Sequence, residues 1–278
     1  MIETRHWKLA HGRILELGAE AYIMSVLNVT PDSFSDGGRY AAVENAVARA
    51  QAMLAEGAAI IDIGGESTRP GAAPIAAAEE QERVLPVIEA LAKGADIILS
   101  IDTYRAETAR LAIDAGAHIV NDVWGLHKES AIAEVAAKTG AGLMLMHTGR
   151  EREKLSDVIA DQFAFLRRAI EIARKAGVAD EQIILDPGFG FAKDPEENAE
   201  IMARFGELAG LGFPFAVGTS RKRFIGHFTG RDVEERAVGT AATSALLRVK
   251  GAAIFRVHDV AENRDALRMA DAMLAAEK

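Results

Sequence analysis

Polar and charged side chains follow each of eight short apolar runs in this 278-residue chain. Loops are often polar for reasons unrelated to function, but that explanation does not account for every run ending in this way. The residues are, in chain order, Asn28 and Asp32; Glu66, Ser67, Thr68 and Arg69; Asp102; Asn121 and Asp122; His147; Asp186; Ser220, Arg221 and Lys222; and Arg256 and His258. The pattern predicts one polar site assembled from many loops.

The first chemical class among these residues consists of Asp102, Asn121 and Asp186. Two carboxylates accept hydrogen bonds, and an amide both donates and accepts them. This combination suits the amidine-like edge of a flat nitrogen heterocycle bound in a pocket. A competing interpretation applies to Asp102, which precedes Thr103 and a predicted helix and could act as the helix N-cap.

The second class is cationic and consists of Arg69, Lys222, Arg256 and His258. With Asn28 beside them, these donors suit a pyrophosphate group accompanied by a divalent cation. The competing interpretation for residues 220–223 is a solvated basic turn before a helix, and that segment taken alone favours it.

Strand periodicity places two of these charges on an inward face. Alternation puts Ile98, Ser100 and Asp102 on one face of their run, and it puts Ile254, Arg256 and His258 on one face of another. A cation that faces a barrel interior is costly unless an anion or ligand meets it. We therefore expect Arg256 to meet an anion, and we expect Lys222 and Arg256 to be neighbours with an anion between them.

The elements that must position these residues alternate between strands and amphipathic helices. Eight such pairs without a linker predict one (β/α)₈ TIM barrel, of the α/β class, as a single domain over residues 1–278. A short N-terminal hairpin around residues 11–12 is expected to plug or cap it. The predicted strands are 22–28, 59–63, 97–101, 118–120, 142–146, 183–185, 213–217 and 253–257; the helices lie near 41–56, 78–92, 104–115, 129–138, 157–176, 195–205, 232–249 and 260–275.

Composition excludes several classes of protein. The chain is 49% hydrophobic and 26% charged, which supports a packed core and argues against disorder. It contains no cysteine, so disulfides and thiolate metal sites are absent. A net charge of −9 argues against general binding to nucleic acids or acidic membranes. No signal peptide or apolar span is evident, and we expect a cytoplasmic location.

Seven motifs together strongly resemble the dihydropteroate synthase family of folate biosynthesis. They cover nearly the whole chain in the family's order, and the first two are long and specific. The motifs are 28–36 (NVTPDSFSD), 64–71 (GGESTRPG), 100–103 (SIDT), 121–123 (NDV), 185–191 (LDPGFGF), 220–222 (SRK) and 256–259 (RVHD).

The resemblance implies a transferase that condenses 6-hydroxymethyl-7,8-dihydropterin pyrophosphate with para-aminobenzoate, giving 7,8-dihydropteroate and pyrophosphate. It implies Mg²⁺ as cofactor, a homodimer and a pocket where sulfonamides bind. It also implies roles for site residues, with Lys222, Arg256 and Asp102 catalytic. Pterin would be held by Asp102, Asn121, Asp186 and Lys222; para-aminobenzoate by Thr68, Pro70, Phe191 and Ser220; pyrophosphate by Asn28, Arg69, Arg256 and His258; and the metal by Asn28, with Phe34 and Asp36 shaping a lid.

The chain departs from the family pattern at a few positions. Thr148, Gly149 and Arg150 follow His147 where the family commonly has methionine and glutamine or a similar pair, and Ala192 and Ser25 stand where glycine is common. Two alternatives remain. A pterin-binding methyltransferase that passes a methyl group from methyltetrahydrofolate to a corrinoid would share the acids but would not need the anion-binding set. A homologue with a dead site would have lost one of the charged residues.

Overall fold

The computed structural model describes residues 4–29, 38–66, 73–94 and 96–277, and in the second range it describes side chains from residue 41 onwards. Strands β1 (Arg5–Lys8) and β2 (Ile14–Leu17) form an antiparallel hairpin. Eight further strands form one parallel sheet. They are β3 (Tyr22–Asn28), β4 (Ile60–Gly64), β5 (Ile98–Asp102), β6 (Ile119–Asp122), β7 (Gly142–Met146), β8 (Ile183–Asp186), β9 (Ala216–Val217) and β10 (Ile254–Val257).

Helices follow the strands of the parallel sheet. They are α1 (Gly38–Glu56), α2 (Ala77–Gly94), α3 (Ala106–Asp114), α4 (Ile132–Thr139), α5 (Val158–Lys175), α6 (Pro195–Arg204), α7 (Arg223–Thr229), α8 (Ala237–Val249) and α9 (Val260–Ala276). Sequence analysis predicts all of these except α7, whose seven residues are too few to show helical periodicity. Lys222 occupies the N-cap position of α7 but makes no side-chain capping hydrogen bond.

The parallel sheet closes into a nearly complete (β/α)₈ TIM barrel, as predicted. Its strand order is β8-β7-β6-β5-β4-β3-β10-β9, and a bridge between Leu185 and Phe215 joins the two ends. Strand β9 is shorter than the predicted 213–217 because Pro214 has no N–H to donate to a sheet ladder. The Pro214 carbonyl still accepts a 3.0 Å hydrogen bond from the Leu185 N–H.

Two apolar layers hold the barrel together. Inward-facing residues at the starts of the strands, among them Met24, Ile60 and Ile254, pack inside it. Residues of opposite parity, such as Leu99 and Ile101, pack between the strands and the helices. This alternation leaves the inward positions at the carboxyl ends of the strands for polar side chains.

The hairpin closes the other end of the barrel. Trp7, Leu9, Leu15 and Leu17 pack against the inward-facing residues at the starts of the barrel strands. The Trp7 indole N–H donates a 2.7 Å hydrogen bond to the carbonyl of Gln182. The expectation that the hairpin plugs the barrel is therefore confirmed.

None of the helices in the described ranges combines the length and the apolar character required to cross a membrane.

Candidate active site

Arg256 lies on the inward face of β10, where its guanidinium meets two carboxylates. Its Nε donates to Oδ2 of Asp62 at 2.6 Å, and its Nη2 donates to Oδ2 of Asp102 at 2.8 Å. The predicted inward parity of Arg256 and Asp102 is confirmed. The anions that were expected beside Arg256 are two carboxylates of the protein. The charge of Arg256 alone therefore does not require a bound pyrophosphate.

Asp62, which is completely buried at the middle of β4, is not among the predicted site residues. Asn121 binds the same carboxylate: its Nδ2 donates a 3.1 Å hydrogen bond to Asp62 Oδ2. The sequence could have indicated this residue, because Asp62 is a carboxylate inside the otherwise apolar run Ile60–Gly64 and shares the inward face of Ile60. Asp62, Asp102, Asn121 and Arg256 thus form one connected group on four strands.

Asp102 and Asp186 are both buried carboxyls at strand ends, and burial raises their pKa values. The pKa of Asp102 rises to about 7, although the nearby Arg256 opposes the effect, and that of Asp186 rises to about 6. Oδ1 of Asp186 accepts a 2.7 Å hydrogen bond from the Gly188 N–H. The N-cap interpretation of Asp102 is wrong, because Arg105 occupies the cap position of α3 and makes no side-chain capping bond.

Lys222 lies over the ring of Phe191, with its Nζ 4.0 Å from the ring centroid. Burial and the charge of Arg256 lower the pKa of Lys222 to about 8, while Asp186 raises it. Gly190 makes room for the lysine stem, since a Cβ there would lie 3.0 Å from Lys222 Cδ. The charges of Arg256 and Asp186 both act on Lys222. Lys222 and Arg256 are therefore neighbours, as predicted, while the anion expected between them stays a prediction.

Ser220 and His258 contact each other across the loops after β9 and β10. The Ser220 Oγ lies 2.9 Å from His258 Nδ1 and accepts a hydrogen bond from the His258 backbone N–H at 3.1 Å. Burial, followed by the charge of Arg256, lowers the pKa of His258 to about 4. His258 is therefore neutral at pH 7 in this structure, whereas the sequence interpretation made it a cationic donor.

Asn28, at the end of β3, lies close to the acids of the barrel mouth. A Cβ placed on Gly64 would be 3.8 Å from both Asn28 Oδ1 and Asp102 Oδ2. Two oxygen atoms of the kind that Mg²⁺ prefers thus approach one point beside a glycine.

Several of the predicted residues lie outside the described residues. They are Asp32, Phe34, Asp36, Ser67, Thr68, Arg69 and Pro70. Glu66, just before the second of these gaps, is described; it forms a 2.8 Å ion pair with Arg105 and accepts a 3.0 Å hydrogen bond from the Tyr104 hydroxyl.

Three of the polar residues at strand ends serve the scaffold. The buried His147 contacts Asp161 of α5 at 2.9 Å. Asp122 accepts hydrogen bonds from two backbone N–H groups of its own turn. Arg221 pairs with Asp259, so the solvated-turn interpretation of residues 220–223 holds for neither Arg221 nor Lys222.

The sequence and structure of the chain that carries this site resemble those of known proteins. A family model described as pterin binding enzyme matches residues 24–258. The chain belongs to the pterin-binding enzyme family. A dihydropteroate synthase of Bacillus subtilis (strain 168) is 47% identical over 252 residues, which cover 91% of this chain and 88% of that protein.

Solved structures of dihydropteroate synthases share the fold of this pterin-binding enzyme. The Xanthomonas albilineans enzyme with 4-aminobenzoic acid gives a TM-score of 0.90 at 42% identity, covering 96% of this chain and 98% of that one. The Yersinia pestis enzyme in a sulfonamide drug complex gives 0.88 at 40% identity, also covering 96% and 98%.

Proposed function

We propose that the chain is a dihydropteroate synthase, a transferase that joins 6-hydroxymethyl-7,8-dihydropterin pyrophosphate to para-aminobenzoate. The observation that carries this proposal is the set of Asp102, Asn121 and Asp186 at the carboxyl ends of β5, β6 and β8, with Arg256 and Lys222 acting on the same acids. The relatives and solved structures of the same activity support it. The relatives and solved structures named above are dihydropteroate synthases, which favours this activity over the methyltransferase alternative.

The pterin would bind against the acids. A carboxylate accepts hydrogen bonds from the ring N–H and amino groups of a pterin, and an amide serves the neighbouring donor and acceptor atoms. Asp62 is too deeply buried to be a surface acid, and its contacts orient Arg256 and Asn121. Asp62 thus acts as a positioning residue in this proposal.

The cations would act on the leaving group. In the reaction, the bond between the pterin methylene carbon and the pyrophosphate oxygen breaks, and its electron pair leaves with pyrophosphate. The amine nitrogen of para-aminobenzoate forms the new bond to that carbon and loses a proton. Lys222 and Arg256 would stabilise the negative charge that develops on the oxygen, because preorganised donors act most strongly where charge appears.

Mg²⁺ would be held at this site jointly by the protein and the substrate pyrophosphate rather than by protein ligands alone. Mg²⁺ commonly takes one or two protein oxygens and completes its coordination with water and substrate phosphates. Asn28, close to Asp102 at Gly64, would supply a protein oxygen, and His258 and Arg69 would contact the same pyrophosphate. When bound, the ion would neutralise charge on the departing pyrophosphate.

The aromatic amine would bind between Phe191 and Ser220, with Thr68 and Pro70 completing the pocket. Phe191 is buried, with the ammonium nitrogen of Lys222 over its ring, while Ser220 contacts His258. In this proposal, a flat ring would have Phe191 as an apolar wall and the Ser220 hydroxyl as a polar contact.

We also propose a homodimer, a single domain over residues 1–278 and a cytoplasmic location. Exposed apolar side chains on α8 and α9 support the dimer, because these two helices pack together and the side chains lack apolar cover in the protomer. They are Val238, Leu246, Val249, Met269 and Met273. Sedimentation velocity should give twice the protomer mass, and a concentration-independent monomer would contradict this part of the proposal.

The direct test of function supplies both substrates with Mg²⁺ and follows pyrophosphate and dihydropteroate. Formation of both products in equal amounts is expected. Methyl transfer to a corrinoid without any dihydropteroate would contradict the proposal in favour of the rival.

A further inference from the structure

The loop after β8 has a backbone shape that needs support from the rest of the protein. Gly188, Gly190 and Ala192 have positive φ values of 64°, 77° and 52°. Glycine adopts this left-handed conformation readily, whereas the Cβ of Ala192 opposes it. Hydrogen bonds to this loop must therefore hold residues 188–192 in place.

Lys193 supplies two of those hydrogen bonds. Its Nζ donates to the carbonyl of Gly188 at 2.8 Å and to the carbonyl of Phe191 at 3.4 Å. The Gly188 carbonyl also accepts the Phe191 N–H at 3.1 Å, and the Phe191 carbonyl also accepts the Gly149 N–H at 3.3 Å. One ammonium group thus ties together the first and last residues of the segment 188–191.

Asn198 of α6 holds the backbone from which the lysine side chain extends. Its Nδ2 donates to the carbonyls of Lys193 at 3.3 Å and Asp194 at 2.5 Å. Its Oδ1 accepts a 2.7 Å hydrogen bond from the Gly190 N–H, and the residue is itself buried. Lys193 is therefore held at its backbone by the helix and at its ammonium group by the loop.

The two residues that Lys193 ties together both contact proposed site residues. The Gly188 N–H donates a 2.7 Å hydrogen bond to Asp186 Oδ1. The ring centroid of Phe191 lies 4.0 Å from the ammonium nitrogen of Lys222. Because Asp186 is proposed to hold the pterin and Phe191 to form a wall for the aromatic amine, a shift of this loop would change both subsites.

Charge also links Lys193 to Asp186. Burial lowers the pKa of Lys193 to about 7, although the charge of Asp186 opposes the change. Burial raises the pKa of Asp186 to about 6, and the charge of Lys193 opposes that change in turn. The other charges that act on the two groups are those of Arg152, Lys154 and Asp161 on Lys193 and those of Lys222 and Arg256 on Asp186. Lys193 thus carries its proton at the pH where Asp186 loses its own, and removing that charge should raise the pKa of Asp186.

We propose that Lys193 is a positioning residue that holds the loop after β8 so that Asp186 and Phe191 form fixed subsites for the two substrates. This inference rests on the proposed function and deepens it. Lys193 contacts neither substrate in this proposal and acts through the backbone of Gly188 and Phe191.

The test compares Lys193→Met and Lys193→Arg with a matched control, Lys154→Met. Lys154 also donates to this loop, at 3.1 Å to the carbonyl of Ala192, but it pairs with Glu197 at the protein surface. The measurements are kcat, KM for each substrate and the pH midpoint of the Asp186 carboxyl group. Nuclear magnetic resonance of the chain with isotope-labelled aspartate gives that midpoint, and Asp186→Asn identifies the signal. Circular dichroism confirms that each variant is folded.

Lys193→Met should raise KM for both substrates by roughly tenfold, the loss expected for a hydrogen bond from a charged group. It should also move the Asp186 midpoint to higher pH, because a positive charge that favours the carboxylate is lost. Lys193→Arg keeps the charge but not the compact ammonium group, so it should retain the midpoint and restore KM only in part. Lys154→Met should leave the midpoint in place and change KM by less than about threefold, because exposed ion pairs contribute little.

Unchanged KM values or an unchanged Asp186 midpoint in folded Lys193→Met would overturn the assignment, even if the melting temperature fell. Equal changes in Lys154→Met would also overturn it, because they would assign the effect to the loop in general. If Lys193→Met does not fold, Lys193→Gln keeps an N–H donor without the charge and gives the same midpoint comparison. Failure of the wild-type chain to form dihydropteroate would instead contradict the proposed function, whereas the titration of Asp186 needs no turnover.

Discussion

The buried acids determine what the barrel mouth can recognise. Asp102→Asn and Asp186→Asn should each weaken pterin binding by about 1.5–3 kcal/mol, because each removes one charged hydrogen-bond acceptor. Calorimetry with a pterin ligand measures the loss directly. Glu107→Gln, an exposed change on α3, is the control. Unchanged affinity in both aspartate variants would show that the pterin lies elsewhere.

Lys222 and Arg256 should act on the departing pyrophosphate. Lys222→Ala and Arg256→Ala should each raise the activation free energy by roughly 3 kcal/mol and so lower kcat. Each should change KM for para-aminobenzoate less than it changes kcat. Because Arg256→Ala also leaves Asp62 and Asp102 without their ion pairs, its melting temperature must be measured alongside kcat. The neighbouring exposed Arg223→Ala serves as control. Near-normal kcat in a folded Lys222→Ala variant would remove the lysine from the proposed chemistry.

The titrations of Asp186 and Lys222 predict a bell-shaped pH profile. The pKa of Asp186 is about 6 and that of Lys222 about 8, so the carboxylate and the ammonium coexist between these values. We expect kcat/KM to rise as pH increases through about 6 to 7, where Asp186 and then Asp102 lose their protons, and to fall through about 8, where Lys222 loses its own. In Lys222→Arg, the alkaline limb should disappear from whatever activity remains, because arginine does not lose its proton in this range. Persistence of that limb would assign it to another group.

Element by element, periodicity predicted the strands well where apolar runs were continuous. Strands β3 and β7 have the predicted bounds, and the others differ by one to three residues at an end. The short helix α7 could not be predicted, because a seven-residue segment containing Gly226 shows no amphipathic repeat. Tertiary contacts with neighbouring loops, such as the approach of Arg236 to Gly226, hold that helix in place.

The hairpin should contribute to stability rather than to catalysis. Trp7 is buried against the inner core, so Trp7→Ala should destabilise the protein by about 3–5 kcal/mol. Trp7→Phe keeps most of the apolar contact and should lose less. Denaturant unfolding measures the change, and kcat/KM should stay near the wild-type value below the unfolding transition. A large loss of kcat/KM in folded Trp7→Ala would contradict a purely structural role.

For the whole molecule, the sequence predicted the barrel and most of the described site because both follow from strand parity. Asp102 and Arg256 face inward for the same reason that Ile98 and Ile254 do. Parity could not show that these two side chains pair with each other, nor that Asp62 completes the group, because the pairing depends on the closed barrel. Likewise, the neutral state of His258 depends on its burial and on the neighbouring charge of Arg256.

In the proposed function, this barrel mouth joins a pterin to an aromatic amine. The most direct measurement incubates the chain with 6-hydroxymethyl-7,8-dihydropterin pyrophosphate, para-aminobenzoate and Mg²⁺ and quantifies both products, with Lys222→Ala and Asp186→Asn in parallel. We predict dihydropteroate and pyrophosphate in a one-to-one ratio, with much slower formation in both variants. Absence of dihydropteroate with the folded wild-type chain would contradict the proposed function, and undiminished formation in both variants would contradict the proposed site.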